Sequence, residues 1–142
     1  MPQIPGHATI NQLEPAPPAG SQPASMLGAT IRRHRNTPIE RLGAEALRFL
    51  LEEGEAVPTV LRVALDRLEE DPFQAGDFHP GDLLVAVLGR SSTVWNSLPE
   101  LRARAHALVA DIEGQLDRLA PADRKIVERA LRGFRNLWPS WS

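Results

Sequence analysis

The sequence has no cysteine in its 142 residues. That excludes disulfides, thiolate catalysis and cysteine-based zinc sites, and it suits a reducing compartment. Long apolar runs are also missing: nothing approaches the roughly 18 residues of a membrane span. The opening MPQIPGHATINQLEPAPP lacks both a basic start and an apolar core, so it does not read as a secretory signal, and a cytoplasmic location is expected. No GxSxG elbow, glycine-rich phosphate loop or HExxH pair occurs, and no fixed-period repeat is present. A net charge of -2 gives no bulk pull toward nucleic acid.

What is present is one domain's worth of chain, 42% hydrophobic. Residues 1–27 carry six prolines among Ala, Gly, Ser and Gln without apolar periodicity, and are expected to be a disordered, dispensable tail. That stretch lacks a PxxP motif flanked by basic residues. Residues 28–142 are expected to form an all-α single-domain bundle of about five helices.

The first helix is expected over 38–53, with Thr37 as cap, Pro38 in the first turn, Glu40 closing a capping box and Gly54 as stop. The second spans 56–70 on the stripe Val57, Val60, Leu61, Ala64, Leu65 and Leu68. The short link between them makes the pair antiparallel. In the loop DPFQAGDFHPGD (71–82), Phe73 and Phe78 are both expected to plug the core. LLVAVLGR then reads as a short buried helix, since no other segment offers a partner strand. Trp95 drops into the core. Ser97 and Glu100 form a second capping box for a helix over 98–119 with heptad-like apolar spacing. Pro121 starts the last helix, 121–137. Near the chain end, Trp138 is expected to dock on the helices, while the sequence assigns no role to Trp141.

Charge is unevenly distributed. Between Glu52 and Asp82 lie nine acidic residues against two basic ones, Arg62 and Arg67, so that segment holds -7 and the remainder +5. Such a segment can steer a basic partner, although a solvated helix face would look the same. The exposed acids Glu52, Glu53, Glu55, Glu69, Glu70 and Asp71 are the candidate contact residues. Asp77, His79 and Asp82 lie within six residues of one another, but Asp82 is better explained as a carboxylate at a helix N-terminus, and no metal or other cofactor is expected. Arg32, Arg33 and Arg35 form a basic cluster without the interleaved aromatics of a nucleic-acid site, and are expected to pair with acids of the same chain.

The stretch 33–101 resembles a family of bacterial immunity proteins of contact-dependent growth inhibition systems. The resemblance is carried in order by PIERLGAEALRFLL (38–51), VPTVLRVALDRLEEDPF (57–73), GDFHPGDLLVAVL (76–88), the lone Trp95 and PEL (99–101). His79 stands where an aromatic is usual, and GEAVPTVL replaces a more apolar turn. The resemblance implies stoichiometric neutralisation of a cognate toxin domain, without catalysis, by covering its active site or substrate groove. Many such toxins are nucleases with basic grooves. It further implies a structural role for Gly76, Asp77, Phe78, Pro80, Gly81, Asp82, Leu83, Leu84 and Trp95. A monomer is expected. The alternative from the residues alone is a helical adaptor, homodimeric through helix 98–119. A small enzyme would need a pocket lined by perturbed carboxylates or histidine.

Overall fold

The computed structural model describes residues 4–16 and 25–138. Among them are eight α-helices: α1 Ile10–Leu13, α2 Met26–Arg35, α3 Ala44–Glu52, α4 Val57–Glu70, α5 Asp82–Leu88, α6 Ser92–Asn96, α7 Pro99–Ile112 and α8 Pro121–Asn136. Two 3-10 helices, Ile39–Arg41 and Glu113–Arg118, complete the set. No strand occurs among the described residues, only the isolated bridges Thr9–Pro38 and Ala75–Pro80. Among the described residues, no helix is long and apolar enough to cross a membrane.

The all-α class agrees with the sequence, but there are more helices than the five expected. α5 is the centre. It packs against α3, α4 and α8, which is why it is apolar nearly all round: Leu83, Leu84, Ala86, Val87 and Leu88 are all buried. α3 ends where Gly54 was expected to stop it. Gly54 N–H returns to Leu51 O at 3.1 Å and Glu55 N–H to Leu50 O at 2.9 Å, satisfying the last carbonyls. Arg90, just past the end of α5, caps the same end by donating to Leu51 O at 2.7 Å. α4 then runs back along α3. Near its far end, Arg67 donates to Leu42 O and Ile39 O, at 2.6 and 2.8 Å, just ahead of the α3 start.

The N-terminal segment departs most from expectation. Residues 4–16 are packed on the bundle, whereas 1–3 and 17–24 of the expected tail lie outside the described residues. Thr9 and Gln12 form a reciprocal capping box at 3.2 and 2.9 Å, and Ile10 is fully buried. Glu14 accepts from Thr59 Oγ1 at 2.8 Å. No α-helix runs on from Pro38: Leu42 and Gly43 are extended, with ψ 118° and 179°, so the turn over Ile39–Arg41 does not continue. The N–H groups of Ile39 and Glu40 donate to Ala8 O and Gly6 O at 2.9 and 3.0 Å, which joins this turn to the docked segment. Thr37 Oγ1 donates backward to Arg33 O at 2.6 Å and is not a cap. The chain makes one 3-10 turn and begins α3 at Ala44.

The expected helix 98–119 is divided. α7 ends at Ile112 and a 3-10 turn follows, whose carbonyl at Leu116 accepts from Arg124 Nε at 3.1 Å. The apolar stripe Leu101, Ala105, Leu108, Val109 and Ile112 is buried within the bundle, so it is not available as a dimer seam. Ser97 does not form the second capping box. Its hydroxyl donates to Val94 O at 2.7 Å and closes α6. Trp95, on α6, is fully buried and meets Phe134 edge-on at 5.6 Å. Trp138 docks as expected: its ring lies 5.1 Å from both His106 and Phe134, and its Nε1–H donates to Asn96 Oδ1 at 3.2 Å. Trp141 lies outside the described residues.

Candidate functional site

The acidic residues do not form one face. α4 has 14 residues, about 21 Å at the α-helical rise, and it separates Glu52, Glu53 and Glu55 from Glu69, Glu70 and Asp71. At the first end two of three acids are already paired: Glu52 with Arg90 at 3.3 Å and Glu55 with Arg35 at 3.1 Å. Arg35 is buried and also donates to Asn11 Oδ1 and the Glu14 carbonyl, so its guanidinium ties α2 to the N-terminal segment and the α3–α4 turn. It thus pairs within the chain as expected, while Arg32 and Arg33 are exposed.

The other end of α4 is more strongly acidic than the sequence reading allowed. Arg104 of α7 holds both Asp66 and Glu69, at 2.6 and 2.7 Å. Glu40 and Glu70 line a shared cleft of about 310 Å³ with Asp66. Arg67 also lines it, but its guanidinium is bound to the Leu42 and Ile39 carbonyls. Among the described residues, Glu40, Glu70, Asp71 and Asp77 are exposed with no side-chain hydrogen bond or ion pair. Glu40 and Asp66 were not among the candidates. Asp66 lies one helical turn before Glu70, a spacing that could have found it. Glu40 arrives from a segment whose course depends on the docked N-terminus, so no local signal pointed to it.

Beside this acidic end lies the GDFHPGD loop, joining α4 to α5. Asp82, buried at the start of α5, accepts the N–H of Gly76 through Oδ1 at 2.7 Å and that of Phe78 through Oδ2 at 3.1 Å. Glu45 of α3 accepts the N–H of Asp77 at 3.0 Å. Arg48 clamps Glu45 through Nε and a terminal nitrogen at 2.9 and 2.6 Å. The Arg48 hydrogen bond holds the Glu45 carboxyl below its ordinary range, and burial opposes this only in part. Gly76 sits so close to α3 that a Cβ would meet Glu45 Oε1 at 2.7 Å and Glu45 Cα at 3.1 Å. Gly81 has φ +87°, and a Cβ there would come within 2.8 Å of Val127 Cγ2 on α8. Pro80 is the bridge partner of Ala75. Leu83 and Leu84 are fully buried on α5.

Phe78 requires a correction. Expected in the core, it is 69% exposed, whereas Phe73 in the same loop is buried and is the residue that plugs the core. The loop's carboxylate-bound N–H groups turn residues 76–78 inward by their backbone, which leaves the Phe78 ring outside with the Arg48 guanidinium 4.3 Å from its centroid. Asp77, His79 and Asp82 do not converge, and among the described residues no group of three acids or histidines could hold a metal ion.

No curated protein and no solved structure matches the chain. A family model described as CDI immunity proteins matches residues 12–105. The match takes in α2 to α6, the acidic end of α4 and the whole braced loop; α8 lies beyond it. With well over half its length so matched, the chain belongs to the family of CDI immunity proteins, whose role is toxin neutralisation.

Proposed function

We propose that the protein neutralises its cognate toxin by binding it one-to-one and covering its active site or substrate groove, with no chemistry of its own. The observation that carries this is the set of carboxylates at the C-terminal end of α4. Glu40, Glu70, Asp71 and Asp77 make no ion pair among the described residues, and Asp66 and Glu69 share Arg104. A groove that binds nucleic acid is lined with Lys and Arg. A carboxylate surface presents such a groove with the charge sign of its substrate and accelerates encounter by steering. The favoured partner is therefore a toxin with a basic groove, a nuclease above all. The Glu52–Glu55 end supports this less well, because its acids are mostly paired within the chain.

Charge reversal tests the proposal. Glu40→Lys, Glu70→Lys and Asp71→Lys combined should slow association with the toxin domain by about tenfold or more at low salt and flatten its salt dependence. Reversal of Glu52 and Glu53 should do much less. Unchanged association and unchanged salt dependence in the first variant would remove the acidic end from the interface.

A further inference from the structure

A single exposed apolar side chain is ordinary on a protein surface. Phe78 differs in how it is held. The N–H groups of Gly76, Asp77 and Phe78 are each bound by a carboxylate, of Asp82 or Glu45, at 2.7 to 3.1 Å. The loop is closed by the Ala75–Pro80 bridge and by Gly81 N–H donating to Phe73 O at 3.0 Å. Gly76 and Gly81 have no space for a side chain. Arg48, clamped by Glu45, covers one face of the Phe78 ring. The core contact of this connection is already supplied by Phe73, so the exposed Phe78 ring is not needed for it. The loop backbone is held by these bonds and the ring rests on Arg48, while most of the ring surface faces solvent.

The surroundings define what would meet it. Asp77 adjoins Phe78, and Asp71 and Glu70 stand at the start of the same loop, all exposed and, among the described residues, without an ion pair. We infer that Phe78 is the aromatic anchor of the toxin interface, seated in an apolar pocket of the partner whose rim carries Lys or Arg opposite Asp77, Asp71 and Glu70. This rests on the neutralisation proposed above and specifies the partner's surface: an apolar slot within basic ground. An aromatic ring fixed beforehand loses little entropy on binding, and such rings, desolvated in a pocket and ringed by polar contacts, dominate interface energetics. The surrounding acids govern the rate of encounter, and the ring governs the lifetime of the complex.

The test is binding of the full chain to the toxin domain encoded beside its gene, purified in a catalytically dead form, with wild type, Phe78→Ala and Phe78→Leu compared. Amide exchange at Gly76, Asp77 and Phe78 monitors the loop in each variant. Phe78→Ala should weaken binding by about 30-fold or more, mainly through faster dissociation, with Phe78→Leu in between and the three amides still protected. If wild type binds and Phe78→Ala binds within about twofold of it, the anchor is overturned while neutralisation stands. If Phe78→Leu loses as much as Phe78→Ala while its loop amides exchange freely, the residue acts through the fold and the anchor is likewise overturned. If wild type does not bind, neutralisation of this toxin falls, and the anchor with it.

Discussion

Asp82 Oδ1 accepts the N–H of Gly76 at 2.7 Å, and through this bond the first residue of a buried helix fixes the loop that precedes it. The same carboxylate accepts from Phe78, so one buried side chain satisfies two backbone donors and lies at the positive end of α5. Asp82→Ala should therefore cost about 1–3 kcal/mol, because two part-buried donors lose their partner. Asp82→Asn should cost less but still destabilise, since its amide group can face only one of them as an acceptor. Urea unfolding of the three proteins checks this order.

Gly81→Ala meets two penalties at once: a left-handed φ of +87° and a 2.8 Å approach to Val127 Cγ2. It should destabilise by about 1–3 kcal/mol. A Val127→Ala background removes the steric part, so the double variant should lose less than the sum of its parts. Strict additivity in thermal unfolding would show that α8 is not pressed against the loop.

The docked N-terminal segment gives a third expectation. Ile10→Ala should destabilise by about 2–4 kcal/mol, as for any fully buried branched aliphatic. Removal of residues 1–16 should do more. It exposes the Ile10 site, deprives Arg35 of Asn11 and the Glu14 carbonyl, and frees the N–H groups of Ile39 and Glu40. A truncated chain with unchanged melting temperature would restore the dispensable tail that composition suggested.

Stability should also decline on mild acidification. His34 and His106 both titrate below their ordinary 6.5, chiefly because burial disfavours the charged ring, with Arg33 and Arg102 respectively adding to it. As pH falls through 6.5 the unfolded chain takes up these protons before the folded one does, so folding free energy is lost until the lowered folded values are passed. Melting temperatures between pH 7.5 and 5 should fall in the wild type. The slope should be shallower in a His34→Gln, His106→Gln double variant, and equal slopes would remove these two side chains from the effect.

How much was legible in the sequence follows from where the information resides. α4 and α8 were readable nearly to their ends, because each carries a proline in its first turn and an apolar stripe that repeats for three or more turns. α5 was readable because continuous apolarity means burial on every side. The start of α3 was not. The signals at Thr37, Pro38 and Glu40 are real local preferences, but they open only a 3-10 turn, because the chain is extended at Leu42 and Gly43 and Arg67, 25 residues on, holds the Leu42 carbonyl. α1 is four residues long, too short for any periodicity to show. Phe73 and Phe78 are alike in composition and context, and only the inward turn of the loop backbone separates the buried ring from the exposed one. The six candidate acids were grouped by adjacency in sequence; the length of α4 divides them, and the fold supplies Glu40 and Asp66 in place of those lost.

The most direct test is a calorimetric titration of the toxin domain encoded beside this gene, with toxin activity followed in the same samples. One-to-one binding, with activity lost in step and complete at equivalence, is the expected result. Full toxin activity and no heat at concentrations on the order of tens of micromolar would contradict neutralisation by occlusion of this toxin.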